Sequence, residues 1–371
     1  MKTYRVDFKP ITPYFFGNEK TFPYTGQKIG QYLSNAYYIK SERVPSQTTI
    51  LGALRYLFLP HKKSNYTYSD IEFSENTARV GAKSFDISCE EEQDFGIIRK
   101  ISPIYLYHKN YGILIPTPFD HNTQSQSDKY QPFKNYDVVE TPDGKKLYTN
   151  DYNPKPEFGL TDSYMALDTQ TLVPSKMLFS FEDRVGIAID KEKKAFFKKK
   201  YAILAKGYSF SVYLTLSDDG AIDALKKSSN GTPCVFMGQG KSAFLVSFEE
   251  QENPMEPDEN GETKISKFMK KMLPDGINGT ALYFASDAVI KSSAALYEKT
   301  LFSVIKTKDY RAFGISYHNT EGNMRGSFQK EETLYKLIAA GSIIITSDEP
   351  AVLALFENPN AKKIGLNQIV K

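Results

Sequence analysis

Near the start of the chain, Tyr4, Val6 and Phe8 alternate with Arg5, Asp7 and Lys9, the two-residue period of a half-buried strand, and Pro10 ends it. The period then changes. In SERVPSQTTILGALRYLFLP, Ile50, Leu54, Leu57 and Phe58 fall on one helical face, with Ser46 or Thr48 placed to cap the start and Pro60 to stop it. A strand followed by an amphipathic helix opens an α+β layer. From Lys100, ISPIYLYHKNYGILIPTPF reads as two strands around Asn110-Tyr111-Gly112, after which Asp120 to Gly159 is rich in Asn, Asp, Pro, Lys and Tyr and keeps no period.

A second unit begins near Leu172. Met177, Phe179 and Phe181 alternate, RVGIAID forms an apolar run, and Tyr208, Phe210, Val212 and Leu214 alternate again. Ala221 to Lys227 reads as a short helix, and VFMGQGKSAFLVSFEE as a glycine-rich turn running into a strand in which Phe244, Val246 and Phe248 share a face. The acidic segment Glu249 to Glu262 reads as a solvated connection. Ser342 to Thr346 is then a strand, Glu349 to Phe356 a helix and Ile364 to Val370 a last strand. Strands and helices repeating in both halves predict an α+β fold of two ferredoxin-like domains. The first is expected over residues 1–171, with a long insertion around 116–160, and the second over 172–371.

Composition narrows the classes without choosing one. Hydrophobic content of 40% with 25 Tyr and 25 Phe is that of a folded globular chain, and a net charge of +3 permits a nucleic-acid partner without demanding it. Cys89 and Cys234 form neither a CxxC nor a Cys/His cluster, so disulfide and zinc frameworks are unsupported. The best apolar run, Leu337 to Ser347, is far below the ~20 residues of a membrane helix. MKTYRVDFKP lacks a signal-peptide core, so the expectation is a cytoplasmic protein away from membranes.

Gly240-Lys241-Ser242 invites a phosphate-loop reading, but the glycine required five positions before Gly240 is Val235, and a strand pattern follows where a helix should open. A glycine-rich turn between strands instead lets another backbone come close at Gly238 and Gly240, while Lys241 and Ser242 offer donors to a phosphodiester. A plain hairpin turn with a solvated lysine explains the same residues. DKEKKAFFKKK, residues 190–200, sets six lysines around Phe196 and Phe197, a pattern suited either to RNA or to a solvated loop. Arg184 can bind phosphate or pair with Glu182 or Asp183. His61, His108, His121 and His318 form no metal-hydrolase signature, and there is no GxSxG elbow. His318, in GISYHNTEGNMRGSF beside Asn319 and Arg325, is the best placed to serve as a general base, although a lone histidine is more often structural.

Taken in order, the N-terminal strand, VPSQTTILGALR, FEDRVGIAID, the MGQGKSAF turn and a late AAGSIIIT resemble the RAMP superfamily. More narrowly they resemble the family of third subunits of the Cmr complex, the type III-B CRISPR effector, from about Lys2 to Val370. The resemblance implies two packed ferredoxin-like (RRM-like) domains with a glycine-rich loop and a projecting β-hairpin on guide RNA. It also implies a non-catalytic role in antiviral defence, without metal or cofactor, gripping the 5′ repeat-derived tag of the guide. Its partners would be the large polymerase/cyclase-like subunit and the backbone RAMP subunits. By position, Gly238, Gly240, Lys241 and Ser242 match the glycine-rich loop, Arg55 ends the helix motif and Arg184 sits in the RVG motif. With the lysine-rich segment, the residues expected to face RNA are Arg55, Arg184, Lys193, Lys194, Phe196, Phe197, Lys198, Lys199, Lys200, Gly238, Gly240, Lys241, Ser242, His318 and Arg325. GQGKS lacks the arginine that often follows the second glycine, and AFGISYHNTEGN lacks the family's tryptophan. These departures leave a tag-binding Csm-type subunit as a neighbouring reading. A metal-independent endoribonuclease that processes guide precursors, with His318 or His61 as base, is the enzymatic rival.

Overall fold

The structure, a computed structural model, describes all residues except 18–20, 25–35, 64, 124–126, 143, 153–161, 190–193, 230 and 270–278. Its largest sheet has nine strands. Thr3–Pro10 lies in its interior, antiparallel to Tyr208–Leu216 on one side and to Ser242–Glu250 on the other. Beyond Tyr208–Leu216 come Tyr105–His108, Gly112–Pro116, Ser163–Ala166 and Leu172–Pro174; beyond Ser242–Glu250 comes Cys234–Met237. Ile98–Ile101 also pairs with Tyr208–Leu216.

The alternation seen in the sequence becomes the two faces of this sheet. Val6, Phe8, Phe210, Val212, Phe244 and Val246 turn to a core shared with Ile50, Leu54 and Leu57 of the helix Gln47–Phe58, and with Ile222 and Leu225 of the helix Ala221–Ser228. The longer helix starts where expected, Ser46 accepting from the Thr49 amide at 3.2 Å.

A second sheet sets Thr300–Val304, Ile343–Thr346, Thr280–Phe284 and Ile369–Val370 side by side, all antiparallel. The helix Ser293–Lys299 follows its first strand in sequence, and the helices Glu349–Ala354 and Pro359–Lys363 follow its third. Its strands therefore stand in the spatial order second, third, first, fourth. The large sheet repeats that order with Tyr105–His108, Tyr208–Leu216, Thr3–Pro10 and Ser242–Glu250. Tyr105 and Tyr213 of the large sheet share a core with Tyr283, Ile343 and Val370 of the second, and the Tyr283 hydroxyl donates to the Pro116 carbonyl at 2.8 Å. Position 171 does not coincide with a sheet boundary, because strands on either side of it pair directly in the large sheet.

Two segments take more structure than their sequence suggests. Within Asp120 to Gly159, Tyr136–Thr141 and Gly144–Thr149 pair as a hairpin, held by Tyr136 and Leu147 against Phe133 and Val304. The lysine-rich segment is not a loop over its described part: Lys194–Leu204 pairs along its whole length with Phe179–Ile189. Residues 190–193 at its start lie outside the described residues.

On the face away from the helices, Arg5 is only 5% exposed. Its guanidinium donates to Gln251 Oε1 at 2.6 Å, Glu249 Oε2 at 2.5 Å and Asp7 at 3.2 Å, and lies 3.7 Å from the centroid of the Tyr107 ring. Ser211 donates to Asp7, whose carboxyl is pushed above its usual range by burial despite Ser211 and Arg5 pulling it down. A buried charge is tolerable only when fully paired. Arg5→Ala should therefore lower stability by about 3 kcal/mol, whereas Arg5→Met with Asp7→Asn should recover part of that loss. Chemical denaturation of the three proteins measures both.

Candidate nucleic-acid interface

Met237 pairs with Ser242 and Cys234 with Leu245, so Gly238, Gln239, Gly240 and Lys241 make the connection between two strands of the large sheet. A strand and not a helix follows the turn, which removes the phosphate-loop reading. Gly238, Gly240 and Lys241 have φ of 75°, 102° and 52°, the left-handed region that glycine enters without penalty. At Gly238 the requirement is also spatial: a methyl group there would collide with the Phe15 carbonyl, and the Gln239 amide donates to that same oxygen at 3.0 Å. The turn is thus pinned onto the aromatic segment Tyr14-Phe15-Phe16. Lys241 stands exposed, while Ser242, expected to offer its hydroxyl outward, is buried and donates to the Pro13 carbonyl at 3.4 Å.

The hairpin of Phe179–Ile189 and Lys194–Leu204 runs past this turn. Arg184 pairs across it with Lys199, and Glu182 with Tyr201, so these four residues share one face. On it, the Tyr201 ring lies 5.3 Å from Phe15, and the Arg184 guanidinium covers Tyr201 at 4.4 Å. Glu182 accepts from Arg184 Nε at 2.7 Å, fixing the guanidinium over the ring, and the Lys199 ammonium lies 5.4 Å from the Phe15 ring. The Tyr201 hydroxyl borders Gly240, joining hairpin and turn.

The other face carries Lys198, paired with Asp183 at 2.8 Å, which holds the Asp183 carboxyl below its usual range. There too Lys40 and Lys200 lie over Phe181, at 4.4 and 5.8 Å. Burial, with Arg43 and Lys200 nearby, lowers the pKa of Lys40. Cations resting on ring faces beside a turn with no bulk form a surface that can take a phosphodiester and stack a base.

The family described as CRISPR-associated protein (Cas_Cmr3) matches residues 8–343. The chain belongs to the Cas_Cmr3 family. None of the curated proteins matches it. Among solved structures, a chain of a type III-B Cmr-beta complex bound to cognate target RNA, seen by cryo-EM, is similar with a TM-score of 0.48 at 14% identity. That likeness covers 98% of this chain and 96% of that one. A chain from a Csm3–Csm4 subcomplex of the type III-A CRISPR-Cas interference complex gives 0.37 at 11% identity, covering 93% and 92%. A chain from a Csm1–Csm4 cassette in complex with cA4 gives 0.33 at 11%, covering 93% and 87%.

The residues expected to face RNA separate in space in this Cas_Cmr3 chain. Arg184, Lys199, Gly238, Gly240 and Lys241 come together as described, with Lys198 and Lys200 on the reverse face. Lys194, Phe196 and Phe197 belong to the same strand, and Lys193 lies outside the described residues. Arg55 instead spends its guanidinium on the Gly81 and Lys83 carbonyls, at 2.6 and 2.9 Å, and burial lowers its pKa. It ties the helix Gln47–Phe58 to the end of the helix Asp70–Val80. His318 and Arg325 face each other across another hairpin, Phe313–Thr320 with Asn323–Lys330, which pairs with Thr67–Ser69 in a separate sheet.

The remaining histidines are engaged locally. His61 meets Glu75 at 2.5 Å, His108 lies 4.4 Å from the Tyr208 ring, and His121 accepts from the Gln131 amide at 3.0 Å. Burial lowers the pKa of His121. Among the described residues, no group of three or more His, Cys, Asp or Glu is placed to hold a metal ion. Sequence reasoning missed Phe15, Lys40, Phe181 and Tyr201. The signal was there for two of them, since PYFFG and the tyrosine directly after three lysines are the rings on which the cations rest. Gly238→Ala should destabilise the turn by about 1–3 kcal/mol, the scale of a residue forced into a poorly populated backbone region. Thermal unfolding beside the parent protein measures it, with Gly261→Ala as a positive-φ control where nothing crowds the added methyl.

Proposed function

We propose that the chain is the subunit of a type III-B CRISPR effector that holds the 5′ repeat-derived tag of the guide RNA and takes no part in bond cleavage. The observation that carries this reading is the Gly238–Lys241 turn pinned on Phe15, with Arg184 stacked on Tyr201 and Lys199 beside it. Guide-dependent systems leave sequence to base pairing, so a protein of this kind needs to hold a backbone and a defined single-stranded end. Cations and rings around a bare turn meet that need.

The same reading makes the chain two ferredoxin-like units, supported by the identical order second, third, first, fourth in the two sheets. The first unit then closes at Glu250, not near residue 171, and the strands between Gly112 and Leu204 are an excursion between its second and third strands. The large polymerase/cyclase-like subunit and the backbone subunits are the protein partners. A face for one of them is offered at the edge of the large sheet, where Ile11, Phe236 and Leu245 are exposed on one side. A Csm-type assembly of similar architecture is the nearest rival, and the family match favours the Cmr assignment.

Replacing Arg184 and Lys199 together by Glu should weaken binding of a tag-bearing guide RNA at least tenfold. It should also flatten the dependence of log affinity on log salt by about 1.4, or ~0.7 for each phosphate of a single strand that is no longer neutralised. Filter binding at several salt concentrations tests this, and an unchanged affinity and slope would remove the turn and hairpin from the RNA path.

A further inference from the structure

The two edges of the large sheet are finished differently. At one, Leu172–Pro174 is covered by the chain itself: the Leu172 amide donates to the Asp128 carbonyl at 2.8 Å, and the Gln170 carbonyl accepts from the Tyr130 amide at 3.2 Å. At the other, Cys234–Met237 pairs with Ser242–Glu250 on its inner side and ends the sheet. The Val246 amide donates to the Pro233 carbonyl at 2.8 Å, which fixes the alternation of this antiparallel ladder. Val235 and Met237 therefore turn their backbone groups to Ser242–Glu250, while Cys234 and Phe236 turn theirs outward. Among the described residues, neither the N–H nor the C=O of Cys234 or Phe236 has a partner.

Bare edges are ordinarily guarded by shortness, a charge, a proline, a bulge or a covering loop. Cys234–Met237 has shortness alone: it holds no charge and no proline, and its register with Ser242–Glu250 runs without a shift. The side chains beside the open backbone are apolar. Phe236 is 61% exposed, and Cys234, Leu245 and Ile11 stand exposed on the same face. Lys9, opposite Leu245, and Lys241, just past Met237, are exposed at the rim. The nearest acid on that face, Asp7, is already held by Arg5 and Ser211.

We infer that this edge is completed by an extended segment of a partner subunit, which adds a strand outside Cys234–Met237. The inference rests on the proposed place of the chain in an effector. Alternating N–H and C=O groups along an edge are matched by another extended backbone, and strand addition takes affinity from main-chain bonds and specificity from alternate side chains. The added strand sets apolar residues beside Cys234 and Phe236, with acidic ones toward Lys9 and Lys241. Nucleic acid suits the edge poorly, since the two outward carbonyls would face its phosphates.

The test measures binding of the full chain, by biolayer interferometry, to an effector assembled from the large and backbone subunits without it. Phe236→Ala and Phe236→Pro both lose the ring, but proline also removes the outward N–H while leaving the bonds to Ser242–Glu250 in place. Phe236→Pro should bind about tenfold more weakly than Phe236→Ala. Cys234→Lys, a charge on the exposed edge, should bind at least tenfold more weakly than the parent while unfolding at the same temperature. Hydrogen exchange should show the amides of Cys234 and Phe236 open in the chain alone and protected in the assembly. Equal binding by the alanine and proline variants would mean that side chains alone dock there and would overturn the inference. Parent-like binding by Cys234→Lys would do the same, as would self-association of the chain that this substitution abolishes. Affinity for a tag-bearing guide RNA, which all three variants should keep, separates the two readings. A chain that assembles through this edge but holds no tag RNA removes the proposed RNA role and leaves the inference standing, whereas a parent chain that never joins these subunits removes both.

Discussion

The strand Thr3–Pro10 is the constraint on which the rest of the molecule depends. Both of its neighbours come from the far part of the chain, at residues 208–216 and 242–250, so the large sheet exists only after very long loops have closed. The entropic cost of closure grows only slowly with loop length, whereas burial of Val6 and Phe8 beneath the helix Gln47–Phe58 is recovered in full whatever lies between. An excursion as long as Gly112 to Leu204 is therefore tolerable, and it is that excursion which supplies the arginine, lysines and tyrosine beside the glycine-rich turn. The turn in turn depends on the strand, because the segment pinning Gly238 is the one that leaves it at Pro10.

Much of this was legible in the residues. The alternation of Tyr4, Val6 and Phe8, the cap at Ser46, the turn after Met237 and the late strand before Thr346 all appear where the periods put them, because each is decided by local pattern and burial on one face. The family resemblance, carried by motif order, matches the family found over residues 8–343. What the pattern could not give was partnership. Lys194 to Lys200 has the composition of a solvated loop, and pairing with Phe179–Ile189 on one side and Ala36–Lys40 on the other makes it a strand. The hairpin at Tyr136 to Thr149 is held by nearby Phe133 and by Val304 and Ile345, and the last two are contacts that no window of sequence contains. Ser242 faces inward because its strand's register is set by Val246 and Phe248, and Arg55 is taken up by two carbonyls of a neighbouring helix end.

The cationic residues gathered near the turn share one device. Arg184 lies on Tyr201, Lys199 near Phe15, and Lys40 and Lys200 over Phe181, so each charge is steadied by a ring and keeps part of its surface toward water. Such placement orders long side chains before any ligand arrives and reduces the entropy lost when one binds. Arg5 shows the contrasting use of the same chemistry, a guanidinium stacked on Tyr107 but surrounded by acceptors and closed off from solvent.

Tyr105 and Tyr213 of the large sheet meet Tyr283, Ile343 and Val370 of the second sheet in one shared core. Small α+β RNA binders commonly stack bases on the open face of their sheet. Here the middle of each main sheet covers that face with the other and turns its remaining face to its own helices, while the edge of the large sheet around Ile11, Phe236 and Leu245 stays open. The margins of the sheets are left to turns and hairpins, which can lengthen or change without disturbing either core.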